Sequence, residues 1–197
     1  MSRFSAFLWI HGTARRAWLS FAGLSALLLG ENLAPFAPGA VYMRRVTNGL
    51  NFLDFGYAPA TGAHALLTAF GAEGRHTQAL LGATVDVAIP FASAAFGALA
   101  ITALGRALFK RPGRWQLLAY LPLVAALLDY SENASIAGLL LTYPNDPAWL
   151  SVVTHALTSV KFLAYNATAA VVLVAAIVAL ARQSWRKSGA DQRSPAN

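Results

Sequence analysis

The chain has 197 residues, 57% hydrophobic and only 12% charged, with a mean hydropathy of +0.51, a net charge of +7 and no cysteine. A water-soluble domain of ordinary usage carries about twice that charged fraction, so the composition points to a membrane protein. The lack of cysteine excludes disulfide scaffolds, thiolate zinc sites, iron–sulfur clusters and thiol nucleophiles.

At about 20 apolar residues per helical crossing, the chain has room for four spans and short connections. The first apolar stretch, 17–42, follows a basic arm with Arg3, Arg15 and Arg16 and carries Pro35 and Pro38 near its far end. A rival reading makes it a cleaved signal peptide, with basic residues, an apolar core and small residues near 37–40. The orientation of the later spans is the same under both.

Residues 43–76 form an outer segment too hydrophobic for a plain solvated loop. Pro59 stands where a helix would begin and Gly71 where it would end, and Ala63, Leu66, Leu67 and Phe70 follow helical spacing between them. Too short to cross, this helix is expected to lie in the interface or re-enter over the outer mouth of the bundle, as a lid or as plain packing. His64 and His76 belong to this interfacial or solvated part, as does His11 in the basic arm.

The second span, 77–105, carries Asp86 on a face of small residues with Gly82, Pro90, Ser93 and Gly97. A basic connector, 106–114, leads to the third span, 115–143, where Asp129, Glu132 and Asn133 share one side by i+3 and i+4 spacing. A proline-rich turn, 144–148, leads to the fourth span, 149–181, with a polar stripe of Thr154, Thr158, Lys161, Tyr165 and Thr168. The tail is 182–197.

Eleven of the fifteen Lys and Arg residues fall in the N-terminal arm, the 106–114 connector and the tail. The positive-inside rule then puts both termini in the cytoplasm, in the cell (inner) membrane. Trp18, Trp115 and Trp185 fall at the cytoplasmic ends and Tyr42, Tyr143 and Trp149 at the outer ends, where amphipathic rings prefer to lie. The basic balance is thus topology and attraction to anionic lipid heads rather than nucleic-acid binding.

Ionisable residues are costly in hydrocarbon and usually face a bundle interior or a polar cavity. Counted from the outer ends at about 1.5 Å per residue, Asp86, Asp129, Glu132 and Lys161 lie within about two helical turns of one level. Three acids face one lysine, an excess that calls for protonation, water or a cation. Glu31 is a further acid whose depth depends on the prolines that follow it.

Asp86, Asp129, Glu132 and Lys161 are therefore the candidate catalytic groups, with Asn133, Thr158, Tyr165 and His155 as ligand-binding candidates. A metal site would recruit Asp86, Asp129, Glu132 and His155, but His155 lies about 100° or more around its helix from Lys161, beside Ser159 and Asn166, and is read as an interface residue. No metal is assigned and no cofactor is indicated. The sequence holds no G-x-S-x-G, H-E-x-x-H, Walker or Rossmann pattern. Two sequons, at Asn133 and Asn166, lie inside spans.

Asp-Phe-Gly-Tyr at 54–57, the Gly-to-Arg segment 71–75 and Asp-x-x-Glu-Asn at 129–133 give the chain a pattern that resembles uncharacterised four-span bacterial membrane proteins, across about residues 50–165. The resemblance implies a shared set of positions and brings no activity with it.

The sequence thus predicts an all-α protein, a four-helix transmembrane bundle with an additional outer interfacial helix. Its polar interior is expected to bind, and has groups that could act on, a small or amphiphilic ligand entering from the outer leaflet. The alternatives are a proton-coupled transporter working as a homo-oligomer, and a partner subunit of a membrane complex in which the charged cluster only fixes helix register.

Overall fold

The computed structural model describes residues 3–55 and 62–191, with side chains as far as Trp185. In chain order it comprises α1 (Arg3–His11), α2 (Ala14–Leu33), α3 (Ala40–Val46), a 3-10 turn (Leu53–Phe55), α4 (Gly62–Ala83), α5 (Val85–Leu108), a second 3-10 turn (Arg114–Tyr120), α6 (Leu121–Thr142) and α7 (Ala148–Asp191). The described residues contain no strand, and the fold is all-helical. Two helical stretches are long and apolar enough to cross a membrane, Gly62–Leu108 and Ala148–Trp185.

Prolines set several boundaries. Ala34, which precedes Pro35, is forced out of the helical region (φ −62°, ψ 124°). The apolar stretch 17–42 is therefore two helices, α2 and α3, parted by the Pro35–Pro38 segment rather than one continuous rod. Pro122 sits in the first turn of α6, where its missing N–H costs nothing, and Tyr143 before Pro144 closes that helix.

The helix expected to end at Gly71 does break there: Gly71 adopts φ 63°, ψ −174°, a conformation open essentially to glycine, and the chain then continues as helix to Ala83. Its expected start at Pro59, together with Thr61 and the Gly56 and Tyr57 of the 54–57 motif, lies outside the described residues, as do the side chains of Arg186, Lys187 and Arg193. A Cβ at Gly71 would touch nothing within 4 Å, so any loss there is pure backbone strain. Gly71→Ala is expected to lower stability by about 1–3 kcal/mol. Gly82→Ala, on the same helix and equally open, should leave it unchanged or slightly raised; thermal unfolding of the two variants in detergent checks the contrast.

α5 is the central helix. It packs against α1, α2, α6, α7 and the second 3-10 turn, while α6 and α7 form the most extensive pair and α4 leans on α5, α6 and α7. One apolar core gathers Met43, Phe52, Leu53, Leu67, Phe70, Ile136 and Leu139 at one end of the bundle. A smaller one gathers Leu8, Ala98, Ile101 and Ala119 towards the other. Along α6 and α7 the ionisable residues fall between these two cores.

Candidate functional site

Helical spacing places Asp129, Glu132 and Asn133 on the side of α6 that meets the Thr154–Thr168 stripe of α7. Lys161, 5% exposed, is the hub. Its Nζ donates to Asp129 Oδ1 at 3.2 Å and to Glu132 Oε2. Thr158 Oγ1 donates to Glu132 Oε1, and Tyr165 OH donates to Asp129 Oδ2 at 2.7 Å. Both oxygens of both carboxylates are thus engaged. A turn further along, Thr154 Oγ1 donates to Ser135 Oγ at 2.9 Å, continuing the polar seam.

Asp86 belongs to the same neighbourhood but not to that network. It sits in the first turn of α5, 9% exposed. Its main-chain oxygen accepts from Asn133 Nδ2 at 3.2 Å, and next to it Tyr130 OH donates to Val87 O at 2.8 Å, which ties α5 to α6. The carboxylate itself is less well served, because Oδ2 is buried with no hydrogen-bond partner. The charges acting on it are those of Asp54, Glu31, Asp129 and Lys161.

Sequence reasoning missed Asp54 as a member of the cluster and left Glu31 at an undecided depth. Asp54, in the first 3-10 turn, is buried, and Gln78 braces it from α4: Gln78 Nε2 donates to Asp54 Oδ1 at 3.2 Å while Gln78 Oε1 accepts from Leu53 N at 2.8 Å. Its flanks, Phe52, Leu53 and Phe55, were the available signal, an acid inside an apolar run. Glu31, half-buried on α2, feels the charges of Asp54 and Lys161.

Burial pushes the Asp54 carboxyl up from its ordinary value, with the Lys161 charge pulling the other way. A raised acid binds its proton more tightly folded than unfolded, so folding loses stability as the pH rises from the ordinary carboxylate pKa of 3.8 towards the folded value. Asp54→Asn keeps an oxygen to accept from Gln78 and removes the charge. It is expected to raise the unfolding midpoint at neutral pH by a few degrees and to do nothing in acid, as read from melts at the two pH values.

Beside Asp86 runs a cleft of about 270 Å³ between α4 and α6. Ala79, Gly82 and Ala83 on one wall and Ile136, Ala137 and Leu141 on the other are apolar, while Gln78, Asp86 and Asn133 supply its polar groups. Leu141 on its rim is 86% exposed, so the cleft opens sideways from the bundle. The first half of α4 is fastened above the α6–α7 turn: Ala63 N donates to Ser151 Oγ at 2.8 Å, and His64 Nδ1 lies 2.6 Å from Asp146 Oδ1 with its ring stacked on Tyr143.

The remaining candidate, His155, is half-buried on α7. Among the described residues no group of three or more His, Asp or Glu is placed to hold a metal ion, and Asp86, Asp129, Glu132 and His155 do not make one. No family model, curated protein or solved structure matches the chain.

Proposed function

We propose that the chain is a multi-pass protein of the cell (inner) membrane that binds an amphiphilic ligand in the lateral cleft beside Asp86. In this reading α2, α5 with the end of α4, α6 and α7 are the four crossings, both termini are cytoplasmic, and anionic lipid heads meet the basic cytoplasmic ends. Large apolar side chains exposed on α2 (Trp18, Leu19, Leu29), α6 (Leu127, Leu141) and α7 (Leu163, Val174, Leu180) support it. So does the low burial, 17%, of the most apolar window of α7, where a soluble core helix would be mostly covered. Asp129 and Glu132 depress the hydropathy of α6 but are turned inward onto Lys161, so its outer surface stays compatible with lipid.

The observation that carries the ligand reading is the division of labour among the acids. Asp129 and Glu132 are fully hydrogen-bonded within the bundle and hold α6 against α7, which makes their cluster structural in character. Asp86 lines an apolar-walled cleft with one carboxylate oxygen uncommitted. Sites for small molecules are built this way, from a largely apolar concavity with a few placed polar groups. The four-span bacterial likeness is consistent with it, since the acid of the 54–57 motif, Asp54, and the acids of the 129–133 motif act on one another and on Lys161.

The test uses purified protein in a neutral maltoside detergent with decanol, decylamine and decanoate as probes. At least one is expected to bind and to raise the unfolding midpoint, and Ala137→Phe, which fills the cleft from an exposed wall position, should abolish the effect. Absence of binding by all three, or equal binding to the filled variant, sinks the reading.

A further inference from the structure

Resting on that cleft, we infer that its ligand is an amphiphile whose head carries a primary ammonium, and that this ammonium pairs with the Asp86 carboxylate. The lining holds one carboxylate, and its side-chain donors are two neutral amides whose nitrogens already serve the protein. Gln78 has its amide nitrogen on Asp54 and its carbonyl on Leu53 N, and the Asn133 amide nitrogen is on the Asp86 main-chain oxygen. Asp86 is the one ionisable residue on this lining; it is 9% exposed, and its Oδ2 is buried with no hydrogen-bond partner.

The surrounding charge selects the same head. Asp54, Glu31 and Asp129 all act on Asp86, and the cation that acts on it, Lys161, donates to Asp129 and Glu132 instead. An anionic head would meet repulsion from several carboxylates. A neutral hydroxyl would satisfy one oxygen and leave the charge excess untouched, whereas an ammonium answers both, and a charge-assisted bond is roughly twice as strong as a neutral one. At about 270 Å³ the cleft lies just below the usual range for drug-sized ligands, about 300–1,000 Å³, which suits a small head with part of a chain. The apolar side chains of Ile136, Ala137 and Leu141 then line the path of the chain towards lipid.

Titration calorimetry of the full chain in maltoside detergent separates the possibilities, using decylamine, decanol, decanoate and the short-chain lipid dihexanoyl phosphatidylethanolamine. Decylamine is expected to bind the wild type about tenfold to a hundredfold more tightly than decanol, with decanoate weakest. Asp86→Asn should bring decylamine down to the level of decanol while leaving decanol itself little changed. Where the phosphatidylethanolamine matches decylamine, the ammonium comes from a lipid headgroup; where it does not bind, the source is a single-chain amine, and both results support the assignment. Decanol or decanoate binding the wild type as tightly as decylamine overturns it, as does a preference for decylamine that survives in Asp86→Asn. The wild-type ranking decides alone if that variant does not fold. Binding without cation preference would end this inference and leave the cleft reading standing, whereas no binding by any probe removes both.

Discussion

Replacing Lys161 with Met is expected to cost about 3–5 kcal/mol of stability, because it strands Asp129 and Glu132 as buried carboxylates without their cation. Met preserves most of the side chain's length and apolar contact, so the loss reports charge rather than volume. The Thr158 and Tyr165 hydroxyls would remain on the two carboxylates, but neutral donors do not replace an ammonium inside a bundle. The compensated variant Lys161→Met with Asp129→Asn and Glu132→Gln should regain much of the loss, since replacing a whole buried ionic group is often close to neutral while breaking it is not. Asp86→Asn should behave in the opposite way to Lys161→Met: stability unchanged or raised, because its carboxylate lacks a full set of partners. Denaturant or thermal unfolding of the four proteins in one detergent measures all of this. A Lys161→Met variant as stable as wild type would mean that protons or water already neutralise the two acids.

That contrast between neighbouring acids was only half legible in the sequence. The i+3 and i+4 spacing of Asp129, Glu132 and Asn133 and the stripe from Thr154 to Thr168 depend on helix geometry alone, and so could be read directly. The pairing of Lys161 followed from the level at which the charges lie. Asp54 could not be found in that way. Its place depends on how a non-helical segment folds back against Gln78, 24 residues further along the chain, and no local period encodes such a contact.

The α2–α3 break shows a conflict of a different kind. Apart from Glu31 and Asn32 the stretch 17–42 reads as one apolar segment, but the steric restriction that a proline imposes on the residue before it acts whatever the polarity of its neighbours. The break brings the chain round to α3, which packs on α4 and contributes Ala40 and Met43 to the core beneath the outer segment. Gly71 behaved as its residue type suggested for the same reason: a positive φ is a property of the local backbone, and glycine is its usual marker.

Gly97→Leu is the substitution expected to do most damage to the bundle as a whole. A Cβ at this position would stand 2.7 Å from Pro122 Cβ on α6 and 3.1 Å from Thr168 Cγ2 on α7. Neither neighbour is the loose end of a long side chain, so three helices would have to move apart. Gly97→Ala should cost about 1–3 kcal/mol as an overpacked contact, and leucine more. Gly23→Ala on α2, where a Cβ meets nothing within 4 Å, should be neutral or mildly stabilising through helix propensity. The damage should also reach the site. Gly97 lies midway along α5, and α5 is held to α6 near Asp86 by single bonds from Asn133 and Tyr130. Prying α5 from α6 at Gly97 should strain those bonds and widen the cleft, so Gly97→Ala is expected to weaken discrimination among the decyl probes as well as lower the melt. Stability lost with discrimination intact would show instead that the Asp86 end of α5 is held independently of its midpoint.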